Sequence, residues 1–242
     1  MAIGTSLSKS APSRAPLADP KGTEAMEERT PSRPRSEPLT NGVVPSQDGA
    51  LLRALLVWAA GATLIAASGI VARVPFGAPL CIAGGTAALV IAARKRYASA
   101  FARISTRTIV LAHALRAPIG ASFLVALSHG ALPAAFAVRA GVGDIVVGVG
   151  ALVVGWATSR ARSDSRVAAA WNVVGLIDIL VAVATAQRAV LVEHDPLATR
   201  AIGSLPFGLL PTFIVPLVIG THILLFMRFR DAAQRGTARH VA

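Results

Sequence analysis

The chain has 242 residues, of which 54% are hydrophobic and only 15% are charged, and its formal net charge is +12. A soluble domain of this length would carry about 25% charged residues, so this composition excludes an ordinary soluble protein. The long apolar runs do not alternate with polar residues as the strands of an outer-membrane barrel do. The composition therefore predicts an all-α, polytopic membrane protein.

The first 50 residues differ from the rest of the chain. They contain seven prolines, many serines and threonines, and almost no periodic apolar positions, a composition that cannot bury enough surface to fold. We predict a disordered cytoplasmic tail over 1–50, for which Met26 offers an alternative start. A secretory signal is disfavoured because the first apolar run begins only near residue 51 and is too long for one.

Six apolar runs of about 20 residues follow, each long enough to cross a bilayer core as a helix. We therefore predict a six-helix transmembrane domain over 51–228 and a short basic cytoplasmic tail over 229–242. The predicted spans are 52–72, 76–93, 107–128, 137–157, 167–187 and 206–227.

The basic residues lie mostly on one side of these spans. One set of loops and the C-terminal end hold twelve of them: Arg94, Lys95, Arg96, Arg103, Arg107, Arg160, Arg162, Arg166, Arg228, Arg230, Arg235 and Arg239. The opposite loops hold four: Arg73, Arg139, Arg188 and Arg200. By the positive-inside rule both termini face the cytoplasm. The same bias accounts for the positive net charge of the chain and therefore disfavours a nucleic-acid partner. The basic loops are expected to contact anionic lipid headgroups instead. The preference for arginine over lysine, with abundant alanine, indicates a bacterial source, and we expect a multi-pass inner-membrane protein.

The fourth predicted span contains Asp144 among glycines and valines. Gly141, Gly148 and Gly155 recur at intervals of seven residues, as do Gly143 and Gly150. This interval keeps small residues on one seam of a packed helix, where backbones approach closely. We therefore predict that the fourth span lies at the centre of the bundle. A dinucleotide-binding loop is excluded because the third glycine and the strand–helix context are absent.

Three charged residues fall at similar depth in the predicted bundle. At about 1.5 Å per residue, Arg116 lies roughly 14 Å, Asp178 roughly 17 Å and Asp144 roughly 20 Å from the cytoplasmic edge. A lone charge in hydrocarbon costs several kcal/mol, so these groups should face the interior and find partners. We predict that Arg116 pairs with Asp178, with Asp144 or with both.

A second polar layer lies nearer the cytoplasm, because His113, Asn172 and His222 each fall at roughly 8–9 Å depth. His113 and Arg116 are three residues apart and share a helix face. Trp156 and Trp171 fall near the cytoplasmic interface and are predicted to be aromatic belt residues.

These polar residues support two hypotheses. In the first, Arg116, Asp144, Asp178, Asn172, His113 and His222 line a binding site or proton path, as intramembrane ionisable groups commonly do. In this hypothesis the protein is a carrier of a small solute. In the second, the cluster fixes helix register in a structural or assembly subunit. Pro211 and Pro216 would break the sixth span near this depth, or would produce a kink that the neighbouring helices absorb.

A third hypothesis assigns His113 and His222 as axial ligands of a b-type haem in an electron-transfer protein. Apart from that alternative no cofactor and no metal site is predicted, and the single cysteine, Cys81, excludes a Cys-based zinc site. No enzymatic activity is predicted. The expected partners are the lipid bilayer and a small solute, and the oligomeric state stays open.

Three stretches carry a resemblance to known sequences. They are AGVGDIVVG in the fourth span, WNVVGLID in the fifth and PTFIVPLVIGTH in the sixth. Together they resemble a group of uncharacterised bacterial integral membrane proteins over about residues 105–228. The resemblance implies an inner-membrane protein without an assigned activity, and it supplies no catalytic residues. It agrees with the choice of Asp144, Asn172, Asp178 and His222.

Overall fold

The computed structural model describes residues 47–74, 76–157 and 165–241, and within these ranges the regular elements are all helices. Six helices are long and apolar enough to cross a membrane, so the all-α, six-helix prediction is confirmed and the chain is an integral membrane protein. In chain order, the first to sixth spans are Asp48–Ser68, Gly77–Lys95, Thr106–Ser128, Ala134–Ala157, Arg166–Leu191 and Leu210–Gln234.

The boundaries differ from the prediction in a few places. The first helix begins at Gln47, inside the stretch predicted as a tail, and residues 1–46 lie outside the described residues. The last helix extends over Val215–Val241, beyond the end of the sixth span at Gln234, so the segment predicted as a basic tail over 229–242 continues this helix as far as Val241. The predicted first span, 52–72, is interrupted at Gly69, so its end forms a separate short helix, Ile70–Arg73. Two short helices between spans escaped prediction: Ala98–Arg103 and Pro196–Ile202.

One glycine seam of the fourth span packs against the third span, as predicted for a central helix. A Cβ on Gly148 would lie 2.5 Å from the backbone nitrogen of Ala117, and one on Gly155 would overlap the side chain of Leu111. Gly141 lies against Leu124 in the same way. Only glycine lets the two backbones approach this closely.

The second glycine seam of the fourth span packs against the fifth span. A Cβ on Gly143 would overlap the Asp178 carboxylate, and one on Gly150 would lie 3.2 Å from the indole of Trp171. The fourth span therefore packs closely between the third and the fifth spans, and Asp144 and Asp178 lie at similar depth in the bundle.

The third span is not a uniform α-helix. It consists of Thr106–Ala112, a 3₁₀ turn over His113–Leu115 and Arg116–Ser128. Pro118 explains the tighter turn, because its ring crowds the carbonyl four residues earlier and it has no N–H to donate. In a 3₁₀ turn residues three apart eclipse, so His113 and Arg116 stack on the face that meets the bundle interior.

The sixth span stays helical despite its prolines, through a wide π turn over Leu210–Ile214. Pro216 has no N–H for the carbonyl of Thr212, and the indole Nε1 of Trp58 donates to that carbonyl instead, at 3.2 Å. The predicted break is therefore absent: a side chain from the first span satisfies the freed backbone group.

Candidate functional site

The centre of the bundle holds a charged triad formed by Arg116, Asp144 and Asp178. The Arg116 guanidinium donates from Nε to Oδ1 of Asp144 at 2.7 Å, and its Nη2 forms an ion pair with the same oxygen at 2.5 Å. Nη2 also donates to Oδ2 of Asp178 at 2.5 Å. Arg116 therefore pairs with both carboxylates, which joins the third, fourth and fifth spans.

The remaining guanidinium nitrogen of Arg116 is also bonded. Nη1 donates to the backbone carbonyl of Gly175 at 3.1 Å. All three nitrogens of the guanidinium therefore have acceptors, as a buried arginine requires. Because the acceptors include two carboxylates, ionised side chains in the triad would carry one positive and two negative charges.

The triad is buried but not sealed. The side chain of Arg116 is 2% exposed and that of Asp144 is 7% exposed, whereas 22% of the Asp178 side chain is exposed. Asp178 is therefore the most exposed member of the triad.

A cavity of about 70 Å³ lies against the triad. Arg116 and Asp144 form its polar end, and its lining continues to Phe136 near the beginning of the fourth span and to Ala198 on the short helix Pro196–Ile202. Its walls are almost entirely apolar and include Phe123, Ile179, Val183, Phe207, Pro211 and Val218. The cavity therefore combines one charged end with hydrophobic walls.

The second polar layer is also assembled, one turn of the third span away from Arg116. Nδ1 of His222 lies 2.8 Å from Oδ1 of Asn172, and Nδ2 of Asn172 donates to the backbone carbonyl of His222 at 3.1 Å. Because the amide oxygen can only accept, Nδ1 of His222 carries the proton in this pair. Nε2 of His222 is then an unprotonated acceptor, and it has no hydrogen-bond partner within the described residues.

His113 completes this layer through the sixth span. Its Nε2 lies 3.2 Å from Oγ1 of Thr221, a hydroxyl that also lies 2.8 Å from the carbonyl of Leu217. If the hydroxyl donates to that carbonyl, Nε2 of His113 donates to the hydroxyl. Nδ1 is then a second buried acceptor without a partner among the described residues.

The prediction for Trp171 is wrong. It is 9% exposed, and its Nε1 donates to the carbonyl of Val147 at 3.1 Å. Its ring centroid lies 5.3 Å from that of His113 and 5.6 Å from that of His222. Trp171 therefore packs against the two histidines in the interior and does not lie at the membrane interface. Trp156 is 59% exposed, as an aromatic belt residue would be.

The two histidines do not fit the haem hypothesis in this arrangement. Their ring centroids are 4.2 Å apart and the rings are tilted by 40°. Axial imidazoles approach a haem from opposite faces, with the macrocycle and its iron between them, and rings in mutual contact leave no such space. Within the described residues no group of three His, Cys, Asp or Glu side chains is placed to hold a metal ion either.

Sequence reasoning found six polar residues here and missed three that complete their contacts. Thr221 bonds His113, Trp171 packs against both imidazoles, and the Gly175 carbonyl accepts from Arg116. The signals for them were weak: Thr221 and Trp171 immediately precede His222 and Asn172 in the sequence, and Gly175 lies midway between Asn172 and Asp178.

Comparison with known proteins gives one match. A family model described as "Domain of unknown function (DUF8737)" matches residues 71–230, which contain the second to fifth spans, most of the sixth and every residue of the site. No curated protein and no solved structure matches the chain.

Proposed function

The chain belongs to the DUF8737 family, and since that family has no assigned function, we propose from the site geometry that the protein is a proton-linked membrane carrier of a small cationic solute. The observation that carries this proposal is the charged triad. One buried guanidinium contacts two carboxylates, and the guanidinium and the carboxylate of Asp144 lie at the end of a cavity.

The charge balance of the triad supports a proton or cation as its natural ligand. With both carboxylates ionised, Arg116 neutralises only one of the two negative charges. An uncompensated charge at this depth costs several kcal/mol. A proton on one carboxylate removes that cost, and so does a bound cation. Exchange of one for the other links solute binding to proton movement.

The accessibility of the triad supports a binding role over a purely mechanical one. Asp144 and Arg116 line the cavity, and Asp178 keeps part of its side chain exposed. The cavity extends toward the ends of the spans that the positive-inside rule assigns to the outer side. In our proposal the protein lies in a bacterial inner membrane with both termini in the cytoplasm, and the cavity extends from the triad toward the outer side.

A structural role is the second candidate, and a specific observation favours it. Every bond of the Arg116 guanidinium joins the third span to the fourth or fifth, and glycine seams hold the same helices in close contact. Such a cluster fixes register in a structural subunit without any ligand.

Dicyclohexylcarbodiimide separates the two candidates. This apolar reagent adds as a whole to a protonated carboxyl group and ends as a stable N-acylurea, so mass spectrometry of peptides identifies the labelled aspartate. A carrier site that holds an exchangeable proton is labelled at Asp144 or Asp178 in the purified full chain. The label disappears when that residue is replaced by asparagine.

The matched control is Glu193→Gln, which removes an exposed carboxylate that follows the fifth span and pairs with Arg188 near the end of that span. It should leave the triad label unchanged, whereas Arg116→Gln should increase it, because both carboxylates then need protons. If neither aspartate is labelled while the acid-unfolded chain is labelled at both, the triad holds no exchangeable proton and the structural role is correct.

A further inference from the structure

A lateral groove opens on the lipid-facing surface between the second and fifth spans, with the sixth span behind it. Its volume is about 480 Å³. The residues that define it are Ile82, Thr86, Val90, Val183, Ile219 and Ile223. These side chains are apolar apart from Thr86, whose hydroxyl faces the carbonyl of Pro216 at 3.5 Å. The groove therefore matches a hydrocarbon chain.

The lateral groove adjoins the cavity at the triad. Ile82 of the second span and Val183 of the fifth span line both spaces. These two side chains separate the spaces, so their displacement would let a molecule in the groove extend toward Asp144 and Arg116. The resulting path would begin at the hydrocarbon of the bilayer and end at these two charged residues of the cavity lining.

The chemistry along this path changes in one step. The groove and the cavity walls are hydrophobic, while the cavity ends at Arg116 and Asp144. The Arg116 guanidinium is shared with a second carboxylate, Asp178, which is not part of the cavity lining, so the triad holds two carboxylates against one guanidinium. A cationic head group complements the second carboxylate of the triad, whose charge Arg116 does not neutralise. An apolar chain complements the hydrophobic walls of the cavity and of the lateral groove. An anionic head would meet the unneutralised carboxylate and an uncharged one would leave it without a counter-charge.

We propose that the solute is an amphipathic amine that reaches the site from within the bilayer, between the second and fifth spans, with its ammonium group at the triad and its chain in the lateral groove. This inference rests on the proposed carrier function and adds the substrate class and the access route. A lateral route keeps the chain in an apolar surrounding throughout. It requires only displacement of the side chains of Ile82 and Val183.

The test uses the full chain in phosphatidylcholine nanodiscs, with heats of binding corrected by empty nanodiscs. The probes are n-octylammonium, methylammonium and 1-octanol, which separate the contributions of head and chain. We expect octylammonium to bind at least tenfold more tightly than methylammonium, and octanol not to bind. Asp178→Asn should weaken both ammonium probes.

Because an octyl chain also concentrates in the bilayer, groove variants supply the decisive comparison. Thr86→Trp and Val90→Trp fill the lateral groove from the second span, and neither residue lines the cavity at the triad. Each should weaken octylammonium at least tenfold and leave methylammonium unchanged. Ile91→Trp is the matched control, because Ile91 is 55% exposed on the same helix as Thr86 and Val90 and lines neither space.

The outcomes distinguish the inference from the proposed function. If methylammonium binds through Asp178 but the groove variants leave octylammonium unaffected, the lateral route is wrong and the carrier site stands. If octanol binds as tightly as octylammonium, the cationic head is wrong. If neither ammonium probe binds the wild-type chain, both proposals fail together.

Discussion

Arg116 and Asp144 are 28 positions apart in the chain, yet Nε of the guanidinium donates to Oδ1 of the carboxylate at 2.7 Å between two buried side chains. The same guanidinium reaches Asp178 on the fifth span. Because neither charge is stable alone in hydrocarbon, the third, fourth and fifth spans depend on one another. The stability and the proposed function therefore rest on the same three side chains.

Replacing Arg116 by glutamine should strongly destabilise the bundle. The substitution leaves two carboxylates without a positive partner, and breaking a buried ion pair in this way costs about 3–5 kcal/mol. The free energy of unfolding in a denaturant titration measures the loss. Adding Asp178→Asn should recover part of it, since one unpaired charge is then removed.

The matched control for Arg116→Gln is Arg188→Gln. Arg188 pairs with Glu193 but is 73% exposed, so its loss should cost less than about 1 kcal/mol. Equal effects of the two substitutions would mean that the buried triad contributes no more than a surface ion pair.

Gly143→Ala should destabilise the protein, because the new methyl group overlaps the Asp178 carboxylate. Overpacking of this kind costs about 1–3 kcal/mol. Gly84→Ala in the second span is the matched control: its methyl group meets nothing within 4 Å, and alanine favours helix by up to about 1 kcal/mol. Thermal unfolding should therefore shift in opposite directions for the two variants, and a neutral Gly143→Ala would contradict the close contact.

Asn172→Leu removes both bonds to His222, one to the ring and one to the backbone carbonyl. Hydrogen bonds between helices in membranes contribute about 0.6–2 kcal/mol each, so we expect a loss of about 1–3 kcal/mol in unfolding free energy. Ser122→Ala, which removes only an exposed bond to the carbonyl of Ile119 in its own helix, should change the stability by much less. A stable Asn172→Leu variant would show that the histidine layer does not fasten the fifth span to the sixth.

The orientation of the spans can be tested with single cysteines in a Cys81→Ala background. Val192 is 69% exposed after the fifth span, and Ala102 is exposed between the second and third. With the termini in the cytoplasm, a membrane-impermeant maleimide should label Val192→Cys in intact spheroplasts and Ala102→Cys only after lysis. The reverse pattern would invert the assignment made from lysines and arginines.

The sequence alone was enough to predict the number of spans and the residues that meet, because both follow from position along a helix axis. Charge and depth brought Arg116, Asp144 and Asp178 to one level, and glycine spacing identified the central helix. The direction in which a side chain points around its helix axis was harder to predict than its depth. Depth alone put Trp171 at the membrane interface, whereas its side chain faces His113 in the interior. The lateral groove depends on how the second span packs beside the fifth, and no local pattern in either span encodes that packing.

The most direct measurement of the central claim is infrared spectroscopy of the reconstituted chain at neutral pH, with aspartate labelled with ¹³C. If the triad holds a proton, the wild-type chain shows the carbonyl band of a protonated aspartic acid. That band should be absent from the Asp144→Asn variant or from the Asp178→Asn variant. It should be unchanged in the control Asp48→Asn, because Asp48 belongs to an exposed ion pair with Arg103. A spectrum with only ionised aspartates, or a protonated band that survives both triad variants, would contradict the account.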